Sequence, residues 1–370
     1  MEEGMKVLFR VVASLAVISA VFMFSKVIEA KPFYKGKRVV MLINYAPGGG
    51  SDRSGRVIAR HLPRLIEGNP RVVVKNMPGA GGLMAVNYIG EIAKPNGLTV
   101  SNFSGGYTYQ ILKDPALRVD LTKNPWIAGV GGTSIIYARK DTKPGLNKPI
   151  DIWKVTNPRD FKIAGFRITG TKDMRERLTF QMLGVNHYPV TGFRGTTKSR
   201  TALLQNEVQA FGDSRAAWFK TIVPNMIKTK IAIPIYHYDK FNADGSVSAY
   251  PDLPGIPTVS ALYKQKHGKM PSGMEWEAIK LIQSLQGSMV RNTTLPPGSP
   301  KAAVTAMRKA YSKLAKDKKY KADAFKSLGF TPEFVDGATV AKLLNWALND
   351  NKKVQNWLLA EIEKWKKKKW

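Results

Sequence analysis

Residues 39–62 read VVMLINYAPGGGSDRSGRVIARHL, and their order sets the fold class. The apolar run VVMLI reads as a strand. It feeds APGGGSD, a turn of three consecutive glycines. After the turn, Val57, Ile58 and Leu62 recur at helical spacing. A strand, a glycine turn and a helix in that order open an α/β unit.

The pattern continues outward. RVVVKN is a second strand-like run, PGAGG a turn, LMAVNYIGEIA a helix, and LTVSNFSGG a third strand ending in glycines. This is β-α-β-α-β, the core of a doubly wound parallel sheet. The order repeats later. FKIAGF is a strand, ITGTKD a polar turn, and MRERLTFQMLG a helix closed by Gly184. HYPVTGF, RGTTKSRTALLQNE, VQAFGDS and KIAIPIYHY then alternate strand and helix. Two such units predict two lobes with a cleft between them. The expected division is a leader over 1–30, a first lobe over 31–133 plus about 256–370, and a second over 134–255. The C-terminal helices can pack on either lobe. Residues 239–257, rich in Gly, Pro and Asp, read as surface connection.

Two loops carry candidate chemistry. In residues 44–52, NYAPGGGSD, glycine permits a tight turn and lets a ligand approach the peptide groups. The helix start adds unpaired N–H groups and the positive end of its dipole, an arrangement suited to a carboxylate or phosphate. Ser51 or Asp52 is the expected N-cap. Residues 168–173, ITGTKD, repeat the theme with Gly170 between Thr169 and Thr171. Each loop also fits an ordinary capped helix start, and the residues alone leave both readings open. Nucleotide signatures are absent: neither loop ends in Lys-Ser/Thr, and there is no GxGxxG.

Composition narrows the function classes. There is no Cys, which removes disulfides, thiolate metal sites and cysteine catalysis. The four His are scattered without metal-ligand spacing, and neither HExxH nor GxSxG occurs. Hence no enzyme, metal or cofactor is expected. Net charge is +31, a field that attracts anions. The basic residues are dispersed and no nucleic-acid motif appears, so no nucleic-acid partner is expected. Lys6 and Arg10 precede an apolar run over 11–24, and Ala30 ends SKVIEA. This reads as a secretory signal peptide, shorter than the ~20 residues of a membrane span. The expected location is the periplasm. The C-terminal WKKKKW reads as a solvated charged tail.

At these loops the sequence resembles the substrate-binding receptors of tripartite tricarboxylate transporters. The family's PFAPGGxxD, N-x-PGAGG and DGYTL correspond in order to NYAPGGGSD, NMPGAGG and NGLTV. Its GxGSTSH and PYKG correspond more loosely to TGTKDM and GFRG, PDVPT to LPGIPT, and APAGTP to LPPGSP. The resemblance runs over nearly all of the chain from Lys37. It implies a two-lobed periplasmic binding protein fold, type II-like, with a di- or tricarboxylate or aromatic acid in the cleft. It also implies delivery to a two-component membrane permease, with the receptor acting as a monomer. Carried over, the first loop supplies Tyr45, Pro47, Gly48, Gly49, Ser51 and Asp52. The turn after the third strand supplies Ser104 and Gly105, and the second lobe Thr169, Gly170 and Thr171. Asp213 sits where the family often has Asp. Departures are Tyr45 for Phe, Lys172 and Asp173 for small hydroxyl residues, and Arg167 and Arg194 beside the second-lobe loops. Arg167 is thereby a candidate for the distal end of the ligand. Rival readings are a receptor that presents its ligand to a membrane kinase, and an enzyme on a similar scaffold.

Overall fold

The computed structural model describes residues 1, 2, 4, 5, 31–242 and 246–367. The expected leader, apart from its first few residues, and the end of the lysine-rich tail lie outside these. The first unit is built on β1 (Arg38–Ile43), which lies between β2 (Arg71–Asn76) and β3 (Thr99–Ser101), all parallel. Val39, Met41, Leu42 and Ile43 are buried, as expected of a parallel strand covered on both faces. The helix Gly50–His61 packs Val57 and Ile58 onto this sheet. Gly55 allows the close approach, since a Cβ there would lie 2.6 Å from Ile43 Cδ1.

Beyond β3 a separate, antiparallel sheet begins. β4 (Phe103–Ser104) pairs with a late strand, which pairs with β5 (Trp126–Val130). The chain then crosses at Gly131, Gly132 and Thr133 into β6 (Ser134–Arg139). The second sheet also holds β7 (Lys162–Ala164), β8 (Tyr188–Val190), β9 (Ala210–Ser214) and β10 (Ala232–His237), in the order β10-β6-β9-β7-β8. β7 runs parallel to β8 and β9, whereas β6 runs antiparallel to β9 and β10. The first three strands thus form the parallel sheet that the sequence predicts, whereas the sheet of the second unit is mixed. The residues 239–257 contain a small hairpin, β11 (Lys240–Phe241) with β12 (Val247–Ser248).

The return crossing is the helix Met274–Met289 followed by β13 (Arg291–Thr294), the late strand that joins β4 and β5. Trp276, Ile279 and Ile282 enter the core of the second unit. Leu281, Leu285 and Met289 enter that of the first. One helix thus packs into both units. β14 (Phe334–Asp336) closes the antiparallel sheet beside β5. The late apolar pattern forms two helices, Gly337–Asn349 and Lys352–Lys367, broken at Asp350 and Asn351. The second of these returns to the second unit, where Leu358, Ile362 and Trp365 join its core.

Candidate functional site

The first loop is braced from three directions. Gly48 takes φ +83, a left-handed conformation that favours glycine. Its N–H donates to Asp52 Oδ2 at 3.0 Å. The N-cap of the following helix is Gly49, with no side-chain cap, rather than Ser51 or Asp52. Asp52 instead lies inside the first turn and holds Arg56 Nε at 3.0 and 2.9 Å and Asn76 Nδ2 at 3.0 Å. Burial raises its pKa, but the bonds from Arg56, Gly48 and Asn76 outweigh this and hold it below the ordinary value. The NMPGAGG segment supports the loop: Asn76 Nδ2 donates to Tyr45 O at 2.8 Å, and Tyr45 OH donates to Gly81 O at 2.8 Å. Since Gly49 has no side chain to cap the helix, its first turn has no N-cap hydrogen bond.

The second unit brings two more helix starts to the same place. The helix Thr171–Met182 begins at N-cap Gly170, again without a side-chain cap. Asp173 accepts the N–H groups of Phe166 and Arg167 at 2.7 Å each, which shapes the preceding turn. Burial raises the pKa of Asp173. Thr171 Oγ1 meets Thr108 Oγ1 of the first unit at 2.7 Å. Gly105, with φ +64, lies so close that a Cβ would be 2.7 Å from Thr171 Oγ1. The helix Thr196–Leu204 starts after Gly195, and a Cβ on Gly49 would sit 2.9 Å from Thr196 Oγ1. The units are thus in contact around the loops.

Between them lies a cavity with about 70 Å³ in which a water-sized sphere can be centred. The first turns of all three helices open onto it, through Gly49, Gly50, Ser51, Thr171, Lys172 and Thr196. Tyr45, Ser104 and Gly105 complete the side formed by the first unit. Ser134, Phe166, Arg175, Gly212 and Ser214 come from the second, and Gln286, Val290 and Arg291 from the return crossing. Helix N-termini favour negative charge, and Arg175 and Arg291 add two buried guanidinium groups. Burial pulls the pKa of Arg291 down to about 10, so it remains charged at neutral pH.

Of the residues singled out from sequence, Tyr45, Gly49, Ser51, Ser104, Gly105 and Thr171 are on this wall. Pro47, Gly48, Asp52, Arg167, Thr169, Gly170 and Asp213 are not. Arg167 Nη2 donates to both carboxylate oxygens of Asp114, at 2.9 and 2.8 Å, and its Nε to Thr169 Oγ1 at 2.9 Å. Thr169 Oγ1 in turn donates to Asp114 Oδ2 at 2.7 Å. This cluster ties the second unit to the first. Asp213 is held by Arg200 at 2.9 and 2.8 Å and by Tyr137 OH at 3.0 Å. Sequence reading missed Arg175, Gln286 and Arg291. Arg175 had a signal: it is four residues after Thr171, hence on the same helix face. Among the described residues, no group of three or more His, Asp or Glu could hold a metal ion, and no helix is long and apolar enough to cross a membrane.

No family model matches this chain, and no curated protein matches it. Solved structures do. The periplasmic binding protein BugD is 21% identical with a TM-score of 0.64, covering 87% of this chain and 98% of its own. MatC from Rhodopseudomonas palustris, solved with bound malate, is 18% identical with a TM-score of 0.63, covering 86% and 99%. An R. palustris protein solved with adipate is 14% identical with a TM-score of 0.65, covering 87% and 97%. The chain thus has the two-lobed α/β fold of periplasmic binding proteins, and its candidate site lies where the two lobes meet.

Proposed function

We propose that this protein is a periplasmic solute receptor that closes its lobes on a small organic carboxylate. The observation that carries the reading is the cavity itself: three helix N-termini, from both lobes, open onto one space between the lobes. Backbone N–H groups and helix dipoles converging from two sides suit an anion. Two proteins of this fold were solved with malate and with adipate, which supports the class of ligand. The sequence motifs support the finer reading: a receptor of the tripartite tricarboxylate transporter type, exported by its leader, that hands the acid to a two-component membrane permease. The role needs no catalysis. Closure traps the ligand by hinge motion at the crossings.

A thermal-shift series of organic acids tests the binding, because a ligand of the folded state raises the melting temperature. Raised melting with small carboxylates, and native mass spectra showing the acid intact after incubation, support a receptor. No shift with any acid, or conversion of the bound acid, contradicts it. Loss of acid uptake on deleting the gene would support the permease role, and unchanged uptake would count against it.

A further inference from the structure

We infer that Arg175 and Arg291 read the charge of the ligand, so that the site takes a compact dianion and discriminates against monoanions of the same size. The inference rests on the receptor reading above and deepens it. Arg175 is 1% exposed and Arg291 7%. Arg175 donates through Nη1 to Gln283 Oε1 and through Nη2 to Ser134 Oγ at 2.8 Å, and its guanidinium lies 3.7 Å from the centre of the Tyr238 ring. Arg291 donates through Nη1 to Ser104 Oγ at 2.8 Å and to Val290 O at 3.1 Å. All these partners are neutral.

The Nε of each arginine is buried without an acceptor. In Arg291 the Nη2 beside it also makes no hydrogen bond, so the flat edge that fits a carboxylate with two parallel N–H groups is unclaimed. By contrast, the buried Arg200 of the second lobe pairs with Asp213, and the half-buried Lys172 with Glu176 at 2.7 Å. A buried charge with no hydrogen-bonded counter-charge is costly. Here both such charges border the same cavity, one from the helix Thr171–Met182 and one from β13. A dianion neutralises both at once and ties the second lobe to the return crossing. A monoanion leaves one guanidinium buried and unpaired. The cavity has space for only a handful of waters, so the two acid groups must be separated by a short chain.

Isothermal titration of the full chain with straight-chain diacids from oxalate to adipate, against the monoacids of equal carbon number, tests this. The expected result is that the best diacid binds about 100-fold tighter than its monoacid counterpart, the value of one charged hydrogen-bonded contact. Arg175→Gln and Arg291→Gln should each reduce that ratio to about 10-fold or less. Arg175→Lys and Arg291→Lys, which keep the charge and report on folding, should retain a preference for the diacid. Equal binding of diacid and monoacid by the parent would overturn the charge reading while leaving the receptor reading intact. An undiminished ratio in both Gln variants would do the same. Absence of binding by every acid would sink both.

Discussion

Asp114→Asn tests whether lobe closure is built into the ligand affinity. The Asp114 carboxylate is 1% exposed and belongs to the first lobe. Arg167 and Thr169, which reach it from the second, make contacts of 2.7–2.9 Å. Burial raises the pKa of Asp114, but Thr169, Arg167 and the Ala116 N–H together hold it below its ordinary value. The substitution keeps the shape and removes the charge. Hydrogen bonds to charged groups contribute about 1.5–3 kcal/mol. The Arg167 side chain is 31% exposed, so water compensates part of the loss, and about 1–2 kcal/mol is a fair figure. If these contacts exist only in the closed state, the whole loss falls on closure, and affinity weakens about 5- to 30-fold. Arg167 can turn to solvent, so the open apo protein should melt as the parent does. Titration calorimetry with the best acid, paired with melting of the apo protein, reads both quantities. An affinity within about twofold of the parent, or an apo melting temperature that drops as far as that of the complex, would refute the reasoning.

Other perturbations have equally definite outcomes. In Gly50→Ala the new Cβ would lie 2.0 Å from Ser214 Oγ and 3.2 Å from Ser214 Cβ. Overpacking of this kind costs about 1–3 kcal/mol, so calorimetry should show binding weakened about tenfold or more, with apo melting little changed. Unaltered affinity would mean that the lobes do not meet there in the complex. Glu176 is raised from 4.5 to about 7 by burial and by Asp173, against the pull of Lys172 and Arg175. The folded protein keeps this proton at pH values where the unfolded chain has lost it. Its stabilising effect is therefore full below about 4.5 and is lost as pH rises through about 7. Apo melting temperature should fall between pH 5 and pH 8, and Glu176→Gln should flatten that slope; an equal slope in the variant would count against the assignment.

The first lobe was legible because each signal was local. VVMLI is apolar throughout, the glycine turn follows at once, and Gly55 is where the helix must approach β1. The return crossing was not. Met274–Met289 packs into two cores, so its apolar residues spread around the helix and blur the amphipathic period. β13 reads RNTT, with no apolar residue, yet all four positions are buried. Several of its polar groups find partners distant in sequence: the Thr294 N–H donates to Ser101 Oγ at 2.8 Å, and Asn292 Nδ2 to Gly105 O at 2.9 Å. Arg291 enters the site on that strand, so no local pattern could have announced it. The same logic explains Arg167 and Asp213. The family resemblance placed Asp213 among the candidates and a charged departure from it placed Arg167 there, but their partners Arg200 and Asp114 are visible only in three dimensions.

The most direct test of the central claim is a crystal structure of the protein with the acid that binds it best. The density should show an organic dianion between the lobes, with its carboxylates on the helix starts at Gly50 and Thr171 and within hydrogen-bond distance of Arg175 and Arg291. An acid bound outside this cavity would rule out the interlobe site, and one bound inside it with both guanidinium groups still unpaired would rule out their role in reading its charge.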